Sequence, residues 1–542
     1  MLKEKLKGSI NEILEEMSVK EDVDFKIEIP PEGFGDLSTN VAFLLSKVLR
    51  KSPKEISSRI AEELKKREEF ERVEVAGPGF INVDFSSRYL SGVLESILQN
   101  RDFWKQAEQK RVQFEFASAN PTGPFTVGHG RQAVFGDVLC RIFSVRGYEV
   151  SREMYINDAG RQINLLGRSL WVRYNQLMGV QAELPEDGYQ GDYLIDMAKE
   201  LADEYGKEFQ NTWDSSVEGF FKKYALEKML EDITGTLEGL GVRFDNIFYE
   251  SSTIQDGTVL QVLEALETKD SVYEAEGARW FRVSKFVDDD DKVLLRSNNT
   301  YTYFMTDIAY HSNKRERGFE KVFDIWGADH MGHIPRMKAA MKALDMPDDF
   351  LNIIIHQYVN LKREGEVVKM STRKGEFTTL DELVEAVGVD ATRYFFAMFD
   401  PDTHMLFDID LARKKTNDNP VFYVQYAHAR ISSIFKTARE KGVESGKKDL
   451  HILDTGEDRN LVKLVSIFPE TLDSIVTDYR TNRLTSYLET LARAFHAYYN
   501  KYIIVDSENP SLSGARLTLC EVVKNVLESG LDLLGVSAPE SM

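Results

Sequence analysis

Cysteine is almost absent from this sequence, and long apolar runs are missing. Cys140 and Cys520 are the two cysteines among 542 residues, which excludes a disulfide framework and offers no metal-ligand spacing. This usage favours a reducing, cytoplasmic location. No stretch approaches the ~18 consecutive apolar residues that a membrane-spanning helix needs. We therefore expect no membrane partner, and residues 1–17 predict an amphipathic helix instead of a signal peptide.

An excess of positive charge is missing as well. The chain carries 68 Lys and Arg against 89 Asp and Glu, a formal net charge of −21. This balance argues against nonspecific nucleic-acid binding by the whole surface. Residues 411–450 depart from the trend, with nine basic against four acidic residues. From charge alone, that segment is either a solvated helix surface or a local RNA-binding face.

Length and pattern predict several domains. A chain of 542 residues is too long for one hydrophobic core, so roughly two to four domains are expected. Residues 1–105 are typical of a self-contained α/β unit, and residues 106–410 of a nucleotide-binding α/β domain with a helical insertion at about 165–275. Residues 411–542 have a helical pattern throughout and predict an all-α domain.

One glycine-rich loop, ANPTGPFTVGHG at residues 119–130, stands between a predicted strand and a predicted helix. The strand pattern is RVQFEF, and the helix pattern has valines and isoleucines at helical spacing. A helix N-terminus presents free N–H groups and a partial positive charge, which suits a phosphate. Gly128 and Gly130 would let a ligand approach the backbone, and His129 could donate to a phosphate oxygen. The alternative is a tight turn with a surface histidine.

A second loop, EGEVVKMSTRKGEF, brings three cations together. Lys369, Arg373 and Lys374 lie within it between strand-like segments. Such a cluster could hold a triphosphate and stabilise the charge that develops in a transition state. Taken alone, a basic loop of this kind is usually an ordinary solvated loop.

Together the two loops resemble the paired signatures of class I aminoacyl-tRNA synthetases, as TVGH (Thr126 to His129) and KMSTR (Lys369 to Arg373). The wider sequence resembles the arginyl-tRNA synthetase family, in segments that include FEFASANPTGPFTVGHGR, MYINDAGRQ, YTYFMTDIAYH, IWGADHMGHIPRMKAA and NPVFYVQYAHARISSI. The resemblance implies a Rossmann-type catalytic core, an added N-terminal tRNA-contacting domain that carries GDLSTNVAF and GPGFIN, and an all-α anticodon-binding domain.

The resemblance also implies the activity and the partners. The expected reaction is ATP-dependent activation of L-arginine, followed by transfer to the 3′ end of tRNA(Arg), with Mg²⁺ accompanying ATP. We expect a monomer, and the family implies that activation needs bound tRNA. No metal ligand in the protein is expected.

Site residues are carried over from the family position by position. The predicted catalytic residues are His129, Lys369, Ser371, Arg373 and Lys374. The predicted ATP-binding residues are Thr126, Gly128, His129, Gly130, Gly327, Asp329, His330, Lys369 and Met370. The signature motif comprises Ala119, Asn120, Pro121, Thr122, Gly123, Pro124, Phe125, Thr126, Val127, Gly128 and His129. The predicted tRNA-binding residues are Tyr423, Tyr426, His428 and Arg430.

The predicted arginine-binding residues are Glu115, Ser118, Asn120, Tyr303, Asp307 and His330. They suit the substrate, because a guanidinium is planar, permanently charged and carries five donors that need acceptors in fork geometry. Tyr303 and Asp307 are four apart, and so share one helix face. Which carboxylate meets which cation of arginine is left open. His333 could support a substrate-binding residue or be an ordinary helix residue.

Two departures from the family pattern keep alternatives open. Thr126 stands where the first signature has its first histidine, and Thr372 where the second has its second lysine. A catalytically inactive tRNA-binding paralogue is therefore one alternative. A class I synthetase of other specificity and a smaller-molecule nucleotidyltransferase are two more. A cysteine-specific enzyme would want thiolate metal ligands, which this chain lacks.

Overall fold

The structure is a computed structural model that describes residues 1–19, 23–31, 33–107, 110–368, 379–446 and 449–542. The chain divides into two compact units. One comprises Met1–Gln106, Lys415–Asp478 and Arg483–Met542, and the other comprises Ala107–Lys414 and Tyr479–Asn482.

The first unit begins with a small α/β segment. Its elements are α1 (Leu2–Glu16), β1 (Ile27–Glu28), β2 (Leu37–Thr39), α2 (Val41–Leu49), α3 (Pro53–Leu64), β3 (Phe70–Ala76), β4 (Phe80–Phe85) and α4 (Ser87–Gln99). The strands form an antiparallel sheet in the order β1-β2-β4-β3. Helix α3 begins where Ser52 accepts from Glu55 N and Pro53 takes the first position.

The same unit ends in helices, as the pattern after residue 410 predicts. The helices are α16 (Pro420–Glu440), α17 (Gly456–Ser466), α18 (Phe468–Asp478), α19 (Asn482–Lys501) and α20 (Pro510–Leu534). Arg459 on α17 ties them to the α/β segment, because its guanidinium donates to Asp36 Oδ2 at 3.0 Å and to Phe85 O at 2.6 Å. The two terminal segments, predicted as separate domains, thus share one compact unit.

The second unit contains the elements between them. They are β5 (Lys110–Glu115), α5 (Val127–Val145), β6 (Tyr148–Ile156), α6 (Arg161–Leu177), α7 (Asp192–Tyr205), α8 (Ser215–Gly239), β7 (Asn246–Tyr249), α9 (Glu250–Gln255), α10 (Thr258–Thr268), β8 (Val272–Ala275), β9 (Ala278–Phe281), β10 (Lys292–Leu295), α11 (Tyr303–Glu316), β11 (Lys321–Gly327), α12 (Ile334–Ala343), β12 (Leu351–His356), β13 (Val359–Arg363), β14 (Glu366–Val368), α13 (Leu380–Val387), α14 (Val389–Ala397), β15 (Met405–Asp408) and α15 (Ile409–Ala412).

A five-stranded parallel sheet organises this unit, in the order β12-β11-β5-β6-β7. The chain leaves β5 through α5 to β6 on one side, while β11 pairs with β5 on the other. Ligands of such sheets bind at the carboxyl ends of the strands where the order reverses. Helix α5 packs closely on the sheet, because a Cβ atom at Gly136 would come within 2.4 Å of the Phe116 ring.

The predicted insertion is helical for most of its length. Helices α6, α7 and α8 share a hydrophobic core around Trp171, Tyr174 and Phe221. Strand β7 also falls in the predicted range of about 165–275, yet it pairs in parallel with β6 and belongs to the main sheet. The sheet therefore resumes earlier than the sequence pattern suggested.

Among the residues that the structure describes, no helix combines the length and the apolar character that crossing a bilayer requires.

Candidate active site

A cavity of about 410 Å³ opens at the carboxyl ends of β5, β11 and β12. Many residues of the predicted site line it together: Glu115, Ser118, Ala119, Asn120, Thr126, Gly128, His129, Tyr303, Gly327, Asp329 and His330. They come from three separate parts of the chain: residues 115–129, Tyr303 and residues 327–330. Residues as far apart in the sequence as Glu115 and His330, which are 215 positions apart, thus line the same cavity.

The start of α5 fixes the orientation of His129. Thr126 caps the helix, since its hydroxyl accepts from His129 N, while His129 Nδ1 accepts from Thr126 N at 3.4 Å. With Nδ1 an acceptor, the proton of a neutral ring lies on Nε2. Burial lowers the pKa of His129, and Asp329 opposes the change. His129 therefore offers an uncharged Nε2–H donor in the cavity.

The two glycines of this helix have different surroundings. Gly128 lines the cavity, and a Cβ atom there would have Thr126 Oγ1 as its nearest neighbour, at 3.8 Å. A Cβ atom at Gly130 would instead come within 2.4 Å of Leu380 Cδ1. Gly128 is open to a ligand, whereas Gly130 allows α13 to pack on α5. The prediction that Gly130 contacts ATP is therefore replaced by a packing role.

The residues that follow the second signature lie next to the first signature. The site residues predicted in the second signature, Lys369, Met370, Ser371, Arg373 and Lys374, and Thr372, fall outside the described residues. The residues that follow them are described: Leu380 N donates to Phe125 O at 2.8 Å, and Thr379 forms an antiparallel bridge with Thr126. The chain that leaves the second signature is thus hydrogen-bonded to the start of α5.

Buried charges lie at the inner end of the cavity. Lys314 Nζ donates to Glu115 Oε2 and to Asp324 Oδ1, both at 2.7 Å. Ser118 Oγ donates to the other oxygen of Glu115 at 3.0 Å. Burial raises the pKa of Glu115, and the Lys314 ammonium opposes that rise. Ser118, predicted to bind arginine, thus holds Glu115 in place from the cavity wall.

Asp307 is a buried carboxylate behind the cavity wall. His333, which lines the cavity, has its Nε2 2.9 Å from Asp307 Oδ2. Burial lowers the pKa of His333 to about 4, so at neutral pH the ring is uncharged. Burial also raises the pKa of Asp307 well above its usual range, and Glu115 and Glu250 add to the rise. Of the two possibilities for His333, the structure supports contact with a substrate-site residue.

Three residues of this region were not singled out from the sequence. Glu250 starts α9 at the end of β7, is buried, and accepts from Thr306 Oγ1 at 3.1 Å. Lys314 lies seven positions after Asp307, on the same face of α11. His356 lines the cavity at the end of β12, and its buried Nε2 has no hydrogen-bond partner among the residues that the structure describes. Polar spacing along α11 was the signal for Lys314.

The loop after β11 forms the outer wall. Gly327 leaves room for the next turn, because a Cβ atom there would lie 2.5 Å from Asp329 Oδ1. His330 Nε2 is 3.5 Å from Asp329 Oδ2, and both side chains are exposed. A carboxylate and an imidazole therefore face an open part of the cavity, where they are accessible to ligand hydroxyl groups.

A second cavity, of about 590 Å³, lies among the helices of the first unit. The Arg430 guanidinium sits between the rings of Tyr426 and Tyr499, at 4.5 and 4.6 Å from their centroids. Tyr426 and Arg430 line this cavity. Tyr423 packs on His496 instead, with ring centroids 4.7 Å apart.

His428, also predicted to bind tRNA, is 1% exposed, and its Nδ1 lies 2.8 Å from Pro539 O. A ring so deeply buried is out of reach of an RNA chain. His428 is therefore a core residue of the helical segment, and its predicted tRNA contact is not carried forward.

Family models match the chain along most of its length. The arginyl tRNA synthetase N terminal domain matches residues 4–85, the catalytic domain of tRNA synthetases class I (R) matches residues 93–396, and the DALR anticodon binding domain matches residues 424–542. The fold therefore consists of a class I catalytic domain between an added N-terminal domain and a C-terminal domain of the DALR type.

Relatives match over the full chain. The arginine–tRNA ligase of Thermotoga maritima is 55% identical, with 100% of each chain covered, and that of Bacillus subtilis is 43% identical, with 100% of this chain and 98% of the relative covered. The Thermus thermophilus arginyl-tRNA synthetase structure superposes with a TM-score of 0.79 at 24% identity and covers 100% of both chains, which supports the fold. The comparisons give no support to an inactive paralogue or to another amino-acid specificity. The chain belongs to the arginyl-tRNA synthetase family of class I aminoacyl-tRNA ligases.

Proposed function

We propose that this chain is an arginine–tRNA ligase, which activates L-arginine with ATP and transfers it to the 3′ end of tRNA(Arg). The observation that carries the proposal is the gathering of the buried carboxylates Glu115, Asp307 and Glu250 beside a cavity that also meets the start of α5. Buried carboxylates close together repel unless cations join them. Arginine supplies two cationic groups.

The guanidinium belongs at the Asp307 and Glu250 end, with Tyr303 at the cavity wall. Glu115 and Asn120 receive the α-ammonium, and His330 lies at the mouth. Lysine lacks the planar fork of donors, so its binding would leave buried acceptors unpaired. Selectivity against lysine and ornithine follows from those unmet hydrogen bonds.

ATP belongs at the outer end. The Nε2–H of His129 and the first N–H groups of α5 around Gly128 face the phosphates, while Gly327 and Asp329 receive the adenosine. Lys369, Met370, Ser371, Arg373 and Lys374 complete this half of the site. Mg²⁺ enters with ATP, held by pyrophosphate oxygens. Thr126 contributes by capping α5, which orients His129.

The reaction has two displacements. An oxygen of the arginine carboxylate attacks the α-phosphorus, and the bond to pyrophosphate breaks. A terminal ribose hydroxyl of tRNA then attacks the activated carbonyl, and AMP leaves. The chain's residues supply position and charge stabilisation, and no covalent enzyme intermediate is required.

The charge missing at Thr372 is supplied by Arg373 or Lys374. Losing one transition-state contact costs about 10²–10³ in rate in comparable enzymes, so Lys369→Ala or Lys374→Ala should slow adenylate formation by about that factor. If both variants form adenylate at the wild-type rate, the assignment of the second signature is wrong.

Two regions of the first unit are proposed to bind tRNA. The cavity at Tyr426 and Arg430 offers a stacking surface for unpaired anticodon bases, which proteins recognise by stacking and edge hydrogen bonds. In the N-terminal segment, Phe34, just before β2, and Phe80, the first residue of β4, are large exposed rings. They would contact the outer corner of the tRNA.

We further propose that the protein works as a monomer in the cytoplasm. Both cysteines are free and buried, which suits a reducing compartment. Sedimentation at assay concentration tests the monomer.

ATP–pyrophosphate exchange tests the function. We expect exchange that depends on arginine and tRNA together, with none for lysine or ornithine. Exchange with arginine in the absence of tRNA would overturn the proposed tRNA dependence. Exchange with lysine at a comparable rate would overturn the arginine assignment itself.

A further inference from the structure

Lys314 is a fully buried cation beside the catalytic cavity. Its side chain has no solvent exposure, and it donates to Glu115 Oε2 and Asp324 Oδ1 at equal distances of 2.7 Å. The Tyr310 ring lies 4.3 Å away. Lys314 is not among the residues that line the cavity, so any effect on a ligand must pass through its partners.

Glu115 is the partner that faces the ligand. It ends β5 and lines the cavity with Asn120 and His129 of the same loop. If the arginine carboxylate attacks ATP at the start of α5, the α-ammonium on the same carbon must lie at this end of the cavity. The guanidinium, at the far end of the side chain, then extends toward Asp307. Glu115 is therefore placed for the α-ammonium.

Asp324 disfavours the ionised form of Glu115. The two carboxylates are register partners on the adjacent strands β11 and β5, and two buried acids at such positions oppose each other's ionisation. His311 Nε2 also contacts Asp324, at 2.6 Å. Ligand atoms of Glu115, His311 and Asp324 lie within 4.8 Å of one another, the spacing of a metal site. The Lys314 ammonium bonds to both carboxylates there instead.

We propose that Lys314 is a positioning residue for amino-acid selection: its ammonium fixes Glu115 as the charged acceptor of the substrate α-ammonium. Lys314 thereby makes the cavity discriminate between arginine and guanidino compounds that lack the α-ammonium. This inference rests on the proposed function and deepens it. Without Lys314, Glu115 would turn or take up a proton, and the discrimination would decrease.

The test compares L-arginine with argininic acid, in which a hydroxyl replaces the α-ammonium. The measured quantity is the ratio of the inhibition constant of argininic acid to the KM of arginine, in tRNA-dependent pyrophosphate exchange. Lys314→Met should lower this ratio about tenfold or more, the factor that one lost charged contact supports, and leave the KM of ATP unchanged. Asp324→Asn is the matched control: it removes the other partner of Lys314, and should preserve the ratio.

A double-mutant comparison shows whether Lys314 acts through Glu115. Glu115→Gln should lower the ratio, and adding Lys314→Met to it should change nothing further. This comparison is also possible if Lys314→Met alone fails to fold. The double variant removes both charges of the ion pair, so neither Glu115 nor Lys314 leaves the other as an unpaired buried charge. An unchanged ratio in Lys314→Met, equal loss for both compounds, or a further drop in the double variant would overturn the inference. Failure of the wild-type protein to exchange with arginine would instead overturn the proposed function.

Discussion

At the residue scale, the hydrogen bonds of His129 determine which of its ring nitrogens can serve a ligand. Nδ1 accepts from the Thr126 backbone, within the capping box that starts α5. This bond leaves the protonated Nε2 to face the cavity. The departure from the family pattern at Thr126 thus has a structural counterpart: a short hydroxyl side chain caps the helix and orients the histidine behind it.

We expect His129→Gln to retain more activity than His129→Asn. The glutamine amide can reach the position of Nε2, whereas the asparagine amide reaches only that of Nδ1. Loss of the donor should cost about 10²–10³ in the rate of adenylate formation, measured by single-turnover formation of arginyl-adenylate. Equal activity of the two variants, or faster reaction with asparagine, would contradict the assignment of Nε2 as the donor.

The raised pKa of Asp307 predicts how arginine binding depends on pH. A guanidinium binds the ionised carboxylate, but burial raises the pKa of the free group. Binding should therefore strengthen as pH rises toward that pKa, by up to about tenfold per pH unit, and become constant above it. Titration calorimetry in two buffers of different ionisation enthalpy should also detect release of a proton on binding.

MgATP is the control ligand for this experiment. Burial lowers the pKa of His129, so the histidine stays neutral at and above neutral pH, and the affinity for MgATP should be nearly constant there. An affinity for arginine that is flat, or that falls with rising pH, would contradict a guanidinium held by Asp307.

At the scale of elements, two glycines of α5 have different roles: Gly130 allows close helix packing, and Gly128 leaves space for a ligand. An alanine at 130 would bring its Cβ atom within 2.4 Å of Leu380 on α13, while one at 128 would make only an ordinary contact with Thr126 Oγ1, at 3.8 Å. Gly130→Ala should therefore destabilise the catalytic unit by about 1–3 kcal/mol, the usual cost of overpacking. Gly128→Ala should leave stability unchanged and raise the KM of ATP.

Thermal unfolding together with ATP kinetics distinguishes the two variants. The structural interpretation requires the melting temperature to fall for Gly130→Ala alone. If Gly128→Ala melts lower and Gly130→Ala does not, the assignment of the two glycines is reversed.

The local sequence pattern predicted the helices and strands better than it predicted the side-chain contacts between them. Apolar residues at helical spacing indicated α5, and Tyr303 and Asp307, four positions apart, do begin one helix. Glu250 was missed because it reaches this region through strand β7, which a mostly helical segment conceals. The ion pair of Glu115 with Lys314 joins positions 199 apart, and no local pattern encodes such a pairing.

The burial of individual side chains could not be predicted from the spacing of residues in the sequence either. Tyr426 and His428 are two positions apart on α16, yet one lines a cavity and the other lies in the core. Both are aromatic residues within one helical pattern, so sequence alone treats them alike. The packing of the C-terminal residues against the helix, as at Pro539, decides between them.

At the scale of the whole molecule, a strongly acidic chain must bind an acidic ligand through a limited surface. We propose the cavity around Tyr426, Tyr499 and Arg430 as that surface. Its arginine is stacked between two rings, and one of these rings, that of Tyr499, is 40% exposed. Long-range attraction contributes little for a chain of net charge −21, so specific contacts must supply the affinity.

Arg430→Ala should weaken tRNA binding without changing the chemistry. Removing a stacking group costs about 1–3 kcal/mol per base, so the KM of tRNA should rise roughly tenfold to a hundredfold. The KM values of arginine and ATP should stay at wild-type levels. Lys436→Ala, a substitution on the same helix outside this cavity, is the control, and equal effects of both variants would indicate nonspecific loss of charge.

Selection of arginine for attachment to tRNA belongs, in the proposed function, to the buried carboxylates of one catalytic cavity. Its most direct test is the attachment of labelled amino acids to total tRNA by the purified protein, with arginine, lysine and cysteine compared side by side. We predict that arginine is attached in an ATP-dependent reaction, that lysine and cysteine are not, and that Asp307→Asn loses the arginine reaction. Attachment of lysine or cysteine, or an Asp307→Asn variant as active as the wild type, would contradict this account.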